Sequence, residues 1–157
     1  MAARVDFQTD AAGVFKAMLG LERYLHTTAL EPALVNLIKV RASQINGCAY
    51  CIDMHWKDLR AAGENEQRLY SLDAWRESPF YTDRERAALT WTEAVTLITD
   101  GHASDADYEV VRRHFDGKEL ADLTLAIATI NAWNRLAIAA RSEPGTYQPR
   151  ATSSASA

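Results

Sequence analysis

The sequence predicts a single all-α domain. Nearly every apolar segment repeats at the three-to-four-residue spacing of a helix, and no run of alternating β-branched residues predicts a strand. The 157 residues, 48% of them hydrophobic and 24% charged, are also enough to bury a sizeable core. We assign residues 1–147 to a helical bundle. Residues 148–157 are rich in Ser, Thr and Ala, and we expect them to form a flexible tail.

Turn and cap residues divide the first half of the chain into helices. Glu31-Pro32 begins the second helix, because proline is tolerated in a first helical turn, and Asn46-Gly47 forms the turn that ends it. Gly63 is a natural C-terminal cap for the third helix. The predicted elements are a first helix from Thr9 or Asp10 to about Tyr24, a second from Pro32 to the Asn46-Gly47 turn, a third from that turn to about Ala62, and short helical pieces at 66–70 and 71–76.

The second half contains the clearest start signal. Thr82-Asp83-Arg84-Glu85 has the spacing of a capping box and precedes an apolar stripe. We expect the helix that it begins to end at Asp100-Gly101, another to run from about Ser104 to Asp116-Gly117, and a last one to run from about Lys118 to Ala140.

The last predicted helix favours a homo-oligomer. It has no charge between Asp122 and Arg135, and its apolar residues point in several directions. A helix that is apolar all round must be buried on most sides, which is hard to arrange in so small a monomer. Asn134 continues its apolar stripe and is predicted to be a buried hydrogen-bonding residue.

Charge and hydropathy favour a cytoplasmic protein that acts on small molecules or proteins. The formal net charge of -4 gives no electrostatic reason to expect a nucleic-acid or anionic-membrane partner. The first residues lack the apolar core of a signal peptide, and we expect no uninterrupted apolar run of membrane-spanning length. In the reducing cytoplasm, a close cysteine pair favours catalysis, redox chemistry or metal binding over a structural crosslink.

The segment 46–55 contains both cysteines of the chain and one of its four histidines. On a helix, Cys48, Cys51 and His55 would share one stripe, because residues three and four apart are surface neighbours. The Asn46-Gly47 turn places the pair near a helix N-terminus, where free backbone amides and the helix dipole favour the thiolate. The pattern therefore predicts a dithiol with its own proton acceptor, which suits redox chemistry.

Other interpretations of the two cysteines are weaker. A buried, inert pair stays open. Structural zinc requires four ligands, and only the two thiols and His55 converge. Covalent haem attachment requires a histidine directly after the second cysteine, where this chain has Ile52, and a thioredoxin-like fold requires strands. The residues therefore argue against a zinc site and against covalent haem.

Three segments of the chain resemble the AhpD-like alkylhydroperoxidases of the carboxymuconolactone decarboxylase superfamily. These segments are 39–55, 86–94 and 130–137. The resemblance implies a helical fold, assembly into trimers or hexamers, and reduction of hydroperoxides by thiols without metal or flavin.

The resemblance also implies roles for individual residues. Cys51 matches the family's peroxide-attacking thiol, Cys48 its disulfide partner and His55 its relay histidine. Such a thiolate attacks the peroxide while a nearby acid protonates the departing alkoxide, and the resulting sulfenic acid condenses with a close thiol. The implied partners are a hydroperoxide substrate and a dithiol or protein reductant.

One position departs from the family. Characterised members have a relay glutamate twelve residues before the first cysteine, where this chain has Asn36, which cannot exchange a proton near neutral pH. Glu93 is our replacement candidate, because Leu89 and Leu97 flank it by one turn on each side and should raise its pKa by desolvation. A solvated or salt-bridged Glu93 fits the pattern equally well.

The sequence thus predicts a thiol peroxidase of antioxidant defence, with two alternatives. A carboxymuconolactone decarboxylase-like lactone enzyme would need no dithiol, so the two cysteines argue against it. A non-catalytic oligomeric redox sensor stays open because of Asn36.

Overall fold

The computed structural model describes residues 3–149, and over this range it contains helices and no strand, which confirms the all-α prediction. The α-helices are α1 (Ala12–Leu25), α2 (Pro32–Asn46), α3 (Ala49–Ala61), α4 (Glu66–Ser71), α5 (Asp83–Thr96), α6 (Asp105–Val111) and α7 (Gly117–Ala140), with a 3₁₀ turn at Leu72–Ala74. The predicted tail, 148–157, lies outside the described residues except for Gln148 and Pro149.

Helix α2 occupies the centre of the fold. It packs against α3, α5 and α7, while α1 lies against α7 and α6 against α5. One core cluster is shared by α1, α2, α5, α6 and α7, and a second lies between α2, α3, α4, the 3₁₀ turn and α5. The largest fully buried side chains include Leu37, Ile38, Leu59, Leu72, Leu89, Leu123 and Ile127.

The connection from α2 to α3 is as short as the sequence predicts. Gly47 adopts a left-handed conformation with φ 70°, which favours glycine, and the next amide, Cys48 N–H, donates to Ser43 O at 2.9 Å. This turn ends α2 and makes Cys48 the N-cap residue of α3. The predicted Asn46-Gly47 turn is confirmed.

Two capping boxes begin the long helices α5 and α7. The predicted box, in which Thr82 and Glu85 exchange side-chain and backbone hydrogen bonds, is confirmed. A second box joins Asp116 and Glu119 at the start of α7. Sequence analysis did not name this second box, although its acidic cap and glutamate have the same three-residue spacing.

Three helix boundaries differ from prediction. Helix α1 begins at Ala12 because Asp10 instead closes an upstream turn, accepting from Asp6 N–H at 2.9 Å. Helix α5 ends at Thr96, before the predicted Asp100-Gly101, because the backbone at Leu97 leaves helical geometry and turns. Helix α6 ends at Val111, after which a turn brings Phe115 into the core.

Helix α7 corrects one sequence expectation. It is long and apolar enough to cross a membrane, by length and composition, although no run of that length was expected. Here it packs on α1, α2, α3 and α5 and contains the buried polar residues Asp122 and Asn134. Asp122 accepts from Tyr24 Oη at 2.8 Å and from Lys118 Nζ at 2.6 Å. These contacts are those of a core helix in a folded domain.

Candidate active site

The two cysteines lie at the N-terminus of α3. Cys48 is the N-cap residue and Cys51 lies in the first turn, with their Cα atoms 5.4 Å apart and their sulfurs at disulfide distance. The backbone N–H of Cys51 donates to Cys48 Sγ at 3.4 Å. The predicted pairing and the predicted place at a helix N-terminus are therefore confirmed. Both features favour negative charge on sulfur when the pair is reduced.

The cysteine pair is buried between α2, α3 and α7. Cys48 is 1% exposed and Cys51 is 2% exposed. They form a cluster with Ala42 of α2 and Ile130 of α7, and Trp133 packs against its edge. Because little water reaches such a site, nearby charges and hydrogen bonds act on the sulfurs more strongly than they would in solution.

His55 lies one turn after Cys51 on α3 and is 5% exposed. Its Nδ1 lies 3.2 Å from Asn36 Oδ1 of α2. With the amide oxygen as acceptor, Nδ1 carries the proton and Nε2 is left as the basic nitrogen. Burial lowers the pKa of His55 to about 3, and the charge of Lys39 adds to this effect. The imidazole is therefore neutral at physiological pH.

A buried ion pair that sequence analysis missed lies beside the site. Lys39 of α2, 6% exposed, contacts Glu22 of α1 at 2.7 Å, and Trp133 Nε1 donates to the same carboxylate at 3.0 Å. This pair connects α1 and α2 to the tryptophan that packs on the cysteine cluster. The signal in the sequence was a lysine between apolar residues at 37–38 and 40 of α2.

Asn134 is fully buried and hydrogen-bonded, as predicted. Its Nδ2 donates to Ser43 Oγ at 3.0 Å, and its Oδ1 accepts from Asn46 Nδ2 at 2.9 Å. These bonds join α7 to the end of α2 directly behind the cysteines. Because an unpaired buried amide is costly, the network fixes how the two helices meet.

Glu93 lies in a different environment from the one predicted. Its carboxylate accepts from Trp75 Nε1 at 2.7 Å, Arg41 Nε at 2.9 Å and Arg76 at 2.6 Å. Burial alone would raise the pKa of Glu93, but these hydrogen bonds and the arginine charges outweigh it and lower the pKa. The expected raised pKa is wrong, because the alternative of a salt-bridged glutamate applies.

The structure thus places Cys48 and Cys51 at the start of α3 and His55 one turn later on the same helix, with Asn36 on the histidine. The described hydrogen bonds of Glu93 go to the arginines and Trp75, not to these residues. Within residues 3–149, no group of three or more His, Cys, Asp or Glu side chains could hold a metal ion. The arrangement is a buried dithiol beside a neutral imidazole, on an all-helical scaffold.

The chain belongs to the carboxymuconolactone decarboxylase family, whose model matches residues 10–94. It is 45% identical over 139 residues to the uncharacterized protein YdfG of Bacillus subtilis, covering 88% of this chain and 95% of that protein. A crystal structure of an Agrobacterium tumefaciens protein of unknown function, described as a candidate antioxidant defence protein AhpD, has a TM-score of 0.89 at 43% identity. That match covers 93% of this chain and all of the other.

More distant structures share the fold alone. The debrominase Bmp8 has a TM-score of 0.72 at 20% identity, over 86% of this chain and 73% of that one. The helical scaffold therefore does not by itself define the reaction, which depends on the side chains at the site.

The Glu93→Gln substitution separates a structural from a catalytic role for Glu93. We expect it to lower the free energy of unfolding at pH 7 by about 1–3 kcal/mol, because charged hydrogen bonds are lost. Since the folded-state pKa is lowered, this stabilisation is present above the ordinary pKa of 4.5 and is lost as the pH falls through the folded value. Denaturant unfolding at pH 7 and pH 3 measures the difference in the free energy of unfolding between wild type and variant. Glu77→Gln, at an exposed position, is the control. An unchanged stability with slowed Cys51 oxidation would contradict this account.

Proposed function

We propose that the protein is a thiol-dependent hydroperoxide reductase of antioxidant defence. Cys51 attacks the peroxide, Cys48 closes the disulfide and His55 relays protons. The observation that carries the proposal is the cysteine pair at disulfide distance with a buried histidine one turn away, in a chain of the carboxymuconolactone decarboxylase family.

The proposed reaction has two oxidising steps and one reducing step. The Cys51 thiolate attacks one peroxide oxygen, the O–O bond breaks, and the relayed proton converts the alkoxide to an alcohol, leaving Cys51 as a sulfenic acid. The Cys48 thiol then attacks the Cys51 sulfur, releasing water and forming the disulfide. A dithiol or protein reductant restores both thiols by exchange and is itself oxidised.

Local geometry supports this division of roles. Cys51 and His55 are one helical turn apart, which suits proton transfer between them, whereas Cys48 occupies the N-cap position and accepts the Cys51 amide hydrogen. The Cys48 thiolate is stabilised there at the moment when it must attack the sulfenic acid. Burial limits the substrate to a small hydroperoxide or to one whose reacting end is slender.

Two other functions can be weighed against the proposed reductase by particular residues. A lactone enzyme of the carboxymuconolactone decarboxylase type is disfavoured because it would leave the paired thiols without a task. A redox sensor without turnover is favoured by Asn36 on His55, because an amide cannot pass on a proton. Steady turnover of a hydroperoxide with a dithiol reductant distinguishes the enzyme from both. We place this activity in the cytoplasm, with no nucleic-acid or membrane partner.

Single cysteine substitutions test the assigned roles. Cys51→Ser should abolish the reaction with hydroperoxide, because it removes the attacking sulfur. Cys48→Ser should react once and accumulate a sulfenic acid on Cys51, which dimedone traps for mass spectrometry. Ala49→Ser, between the two cysteines, serves as control. A sulfenic acid on Cys48 in the Cys51→Ser protein would reverse the roles, and no reaction in any variant or wild type would refute the function.

We propose further that the protein works as a homo-oligomer, a trimer or hexamer. A groove between the end of α5 and α7 is lined mainly by the apolar side chains of Val95, Ala128, Ala132 and Ile98, the last of which is exposed. A second copy would cover these side chains, which are otherwise an aggregation hazard.

Light scattering with a matched pair of variants tests this interface. Ile98, which lines the groove, is 46% exposed, and Val14 is 43% exposed on α1. We expect Ile98→Asp to lower the molar mass and Val14→Asp to leave it unchanged, because only the former buries a charge between copies. A monomeric mass for the wild type at micromolar concentration would remove the proposal.

A further inference from the structure

His55 needs a proton acceptor on the side away from Cys51. A buried imidazole whose charged form is disfavoured cannot keep a proton taken from a thiol. It can pass protons only if its Nδ1 proton leaves as Nε2 gains one. The residue that contacts Nδ1 most closely, Asn36 at 3.2 Å, accepts a hydrogen bond but cannot take the proton.

A carboxylate does lie beside the same nitrogen. Asp58 Oδ2 is 3.8 Å from His55 Nδ1, one turn further along α3. Within residues 3–149 it is the carboxylate that lies within ion-pair distance of this imidazole. The Asp58 side chain is 26% exposed, so it can exchange protons with water while His55 itself cannot. The gap is about one ångström longer than a hydrogen bond, and catalytic contacts often tighten when the reacting groups are in place.

The C-terminal segment holds Asp58 in position. Tyr147 Oη donates to Asp58 Oδ1 at 2.7 Å, which leaves the other carboxylate oxygen facing His55. The segment is itself fixed to α3, because Lys57 Nζ donates to the carbonyl oxygens of Gly145 and Tyr147, and Gly145 N–H donates to Asp53 at 3.0 Å. Asp53, Lys57 and Asp58 of α3 thus all bind the segment 145–147, and Asp58 also lies beside His55.

We infer that Asp58, oriented by Tyr147, is the positioning carboxylate that exchanges protons with His55 and connects the buried cysteines to solvent. The inference rests on the proposed function. It replaces Glu93 in the role that sequence analysis assigned to it.

The protons balance in the proposed reaction of Cys51 with the peroxide. The Cys51 thiol gives its proton to His55 Nε2 while the Nδ1 proton passes to Asp58 Oδ2, so the imidazole changes tautomer without gaining charge. The thiolate then cleaves the peroxide O–O bond, and the same two protons move back to neutralise the alkoxide. No net proton is taken up in this half-reaction.

Other charged groups near the relay are already paired. The charge of Lys39 of α2, which helps to lower the pKa of His55, is paired with Glu22 of α1 at 2.7 Å. Lys57 is bound to Asp53 at 2.8 Å. The carboxylate left to respond to His55 is therefore that of Asp58, with Tyr147 as its hydrogen-bond donor.

Alkylation of Cys51 tests the relay without any peroxide. In a Cys48→Ser background, the iodoacetamide rate between pH 6 and pH 10 reports how readily Cys51 loses its proton. The thiol must lose its proton before it is alkylated, and solvent supplies little base at pH 6, so the relay matters most there. We expect Asp58→Asn to slow alkylation at pH 6 on the order of a hundredfold and to converge with its parent near pH 10.

Three further variants separate proton exchange from loss of structure. Asn36→Glu added to Asp58→Asn should restore the rate at pH 6, because it places a carboxylate on the same Nδ1. Tyr147→Phe should give a smaller loss, since Asp58 stays but is less well held. Asp53→Asn, which loosens the same segment without touching His55 or Asp58, should lose no more than Tyr147→Phe does.

Each outcome decides the inference. Equal profiles for Asp58→Asn and its parent would overturn it, as would an equal loss in Asp53→Asn, which would make the effect structural. A protein that shows the Asp58-dependent profile but consumes no hydroperoxide would refute the proposed function and leave the relay standing.

Discussion

The site depends on a central helix whose polar side chains each bind a different neighbour. Buried polar groups are tolerated only when they are paired, so each contact fixes where one surrounding helix lies relative to α2. Asn36 contacts His55 of α3, Lys39 contacts Glu22 of α1, Arg41 contacts Glu93 of α5, and Ser43 accepts from Asn134 of α7. Together with the apolar packing, this set of bonds holds the helices in the arrangement that encloses the cysteine pair.

Enclosure has a chemical consequence. It strengthens the effect of the helix N-terminus on sulfur, and it keeps the neighbouring imidazole neutral. A neutral buried histidine does not readily hold an extra proton, but it can accept one on one ring nitrogen while it releases one from the other. The chain belongs to the carboxymuconolactone decarboxylase family and is similar in structure to the Agrobacterium protein, while the likeness to a debrominase is one of fold alone, so the chemistry must be argued from the side chains at the site.

Local signals in the sequence predicted what local physics determines. The Asn46-Gly47 turn, the Thr82 capping box and the Cys48–Cys51 pair depend on residues within a few positions of each other, and all three are confirmed. Glu93 was misjudged because its partners come from 17 to 52 residues away, which no helical period reveals. Lys39 was overlooked for the same reason, since its partner Glu22 lies on α1. Asp58 lies only three residues after His55, but the contact that orients it comes from Tyr147, 89 residues further along the chain. The start of α1 and the ends of α5 and α6 were misplaced because local turns form there in place of further helix.

The most direct test of the account is a single turnover of the reduced wild-type protein. After removal of reductant, one equivalent of an organic hydroperoxide is added, and the alcohol and the disulfide are quantified together. The account predicts one alcohol and one Cys48–Cys51 disulfide per chain, formed much faster than with free dithiothreitol at the same thiol concentration. Formation of neither product, or oxidation no faster than that of the free dithiol, would contradict it.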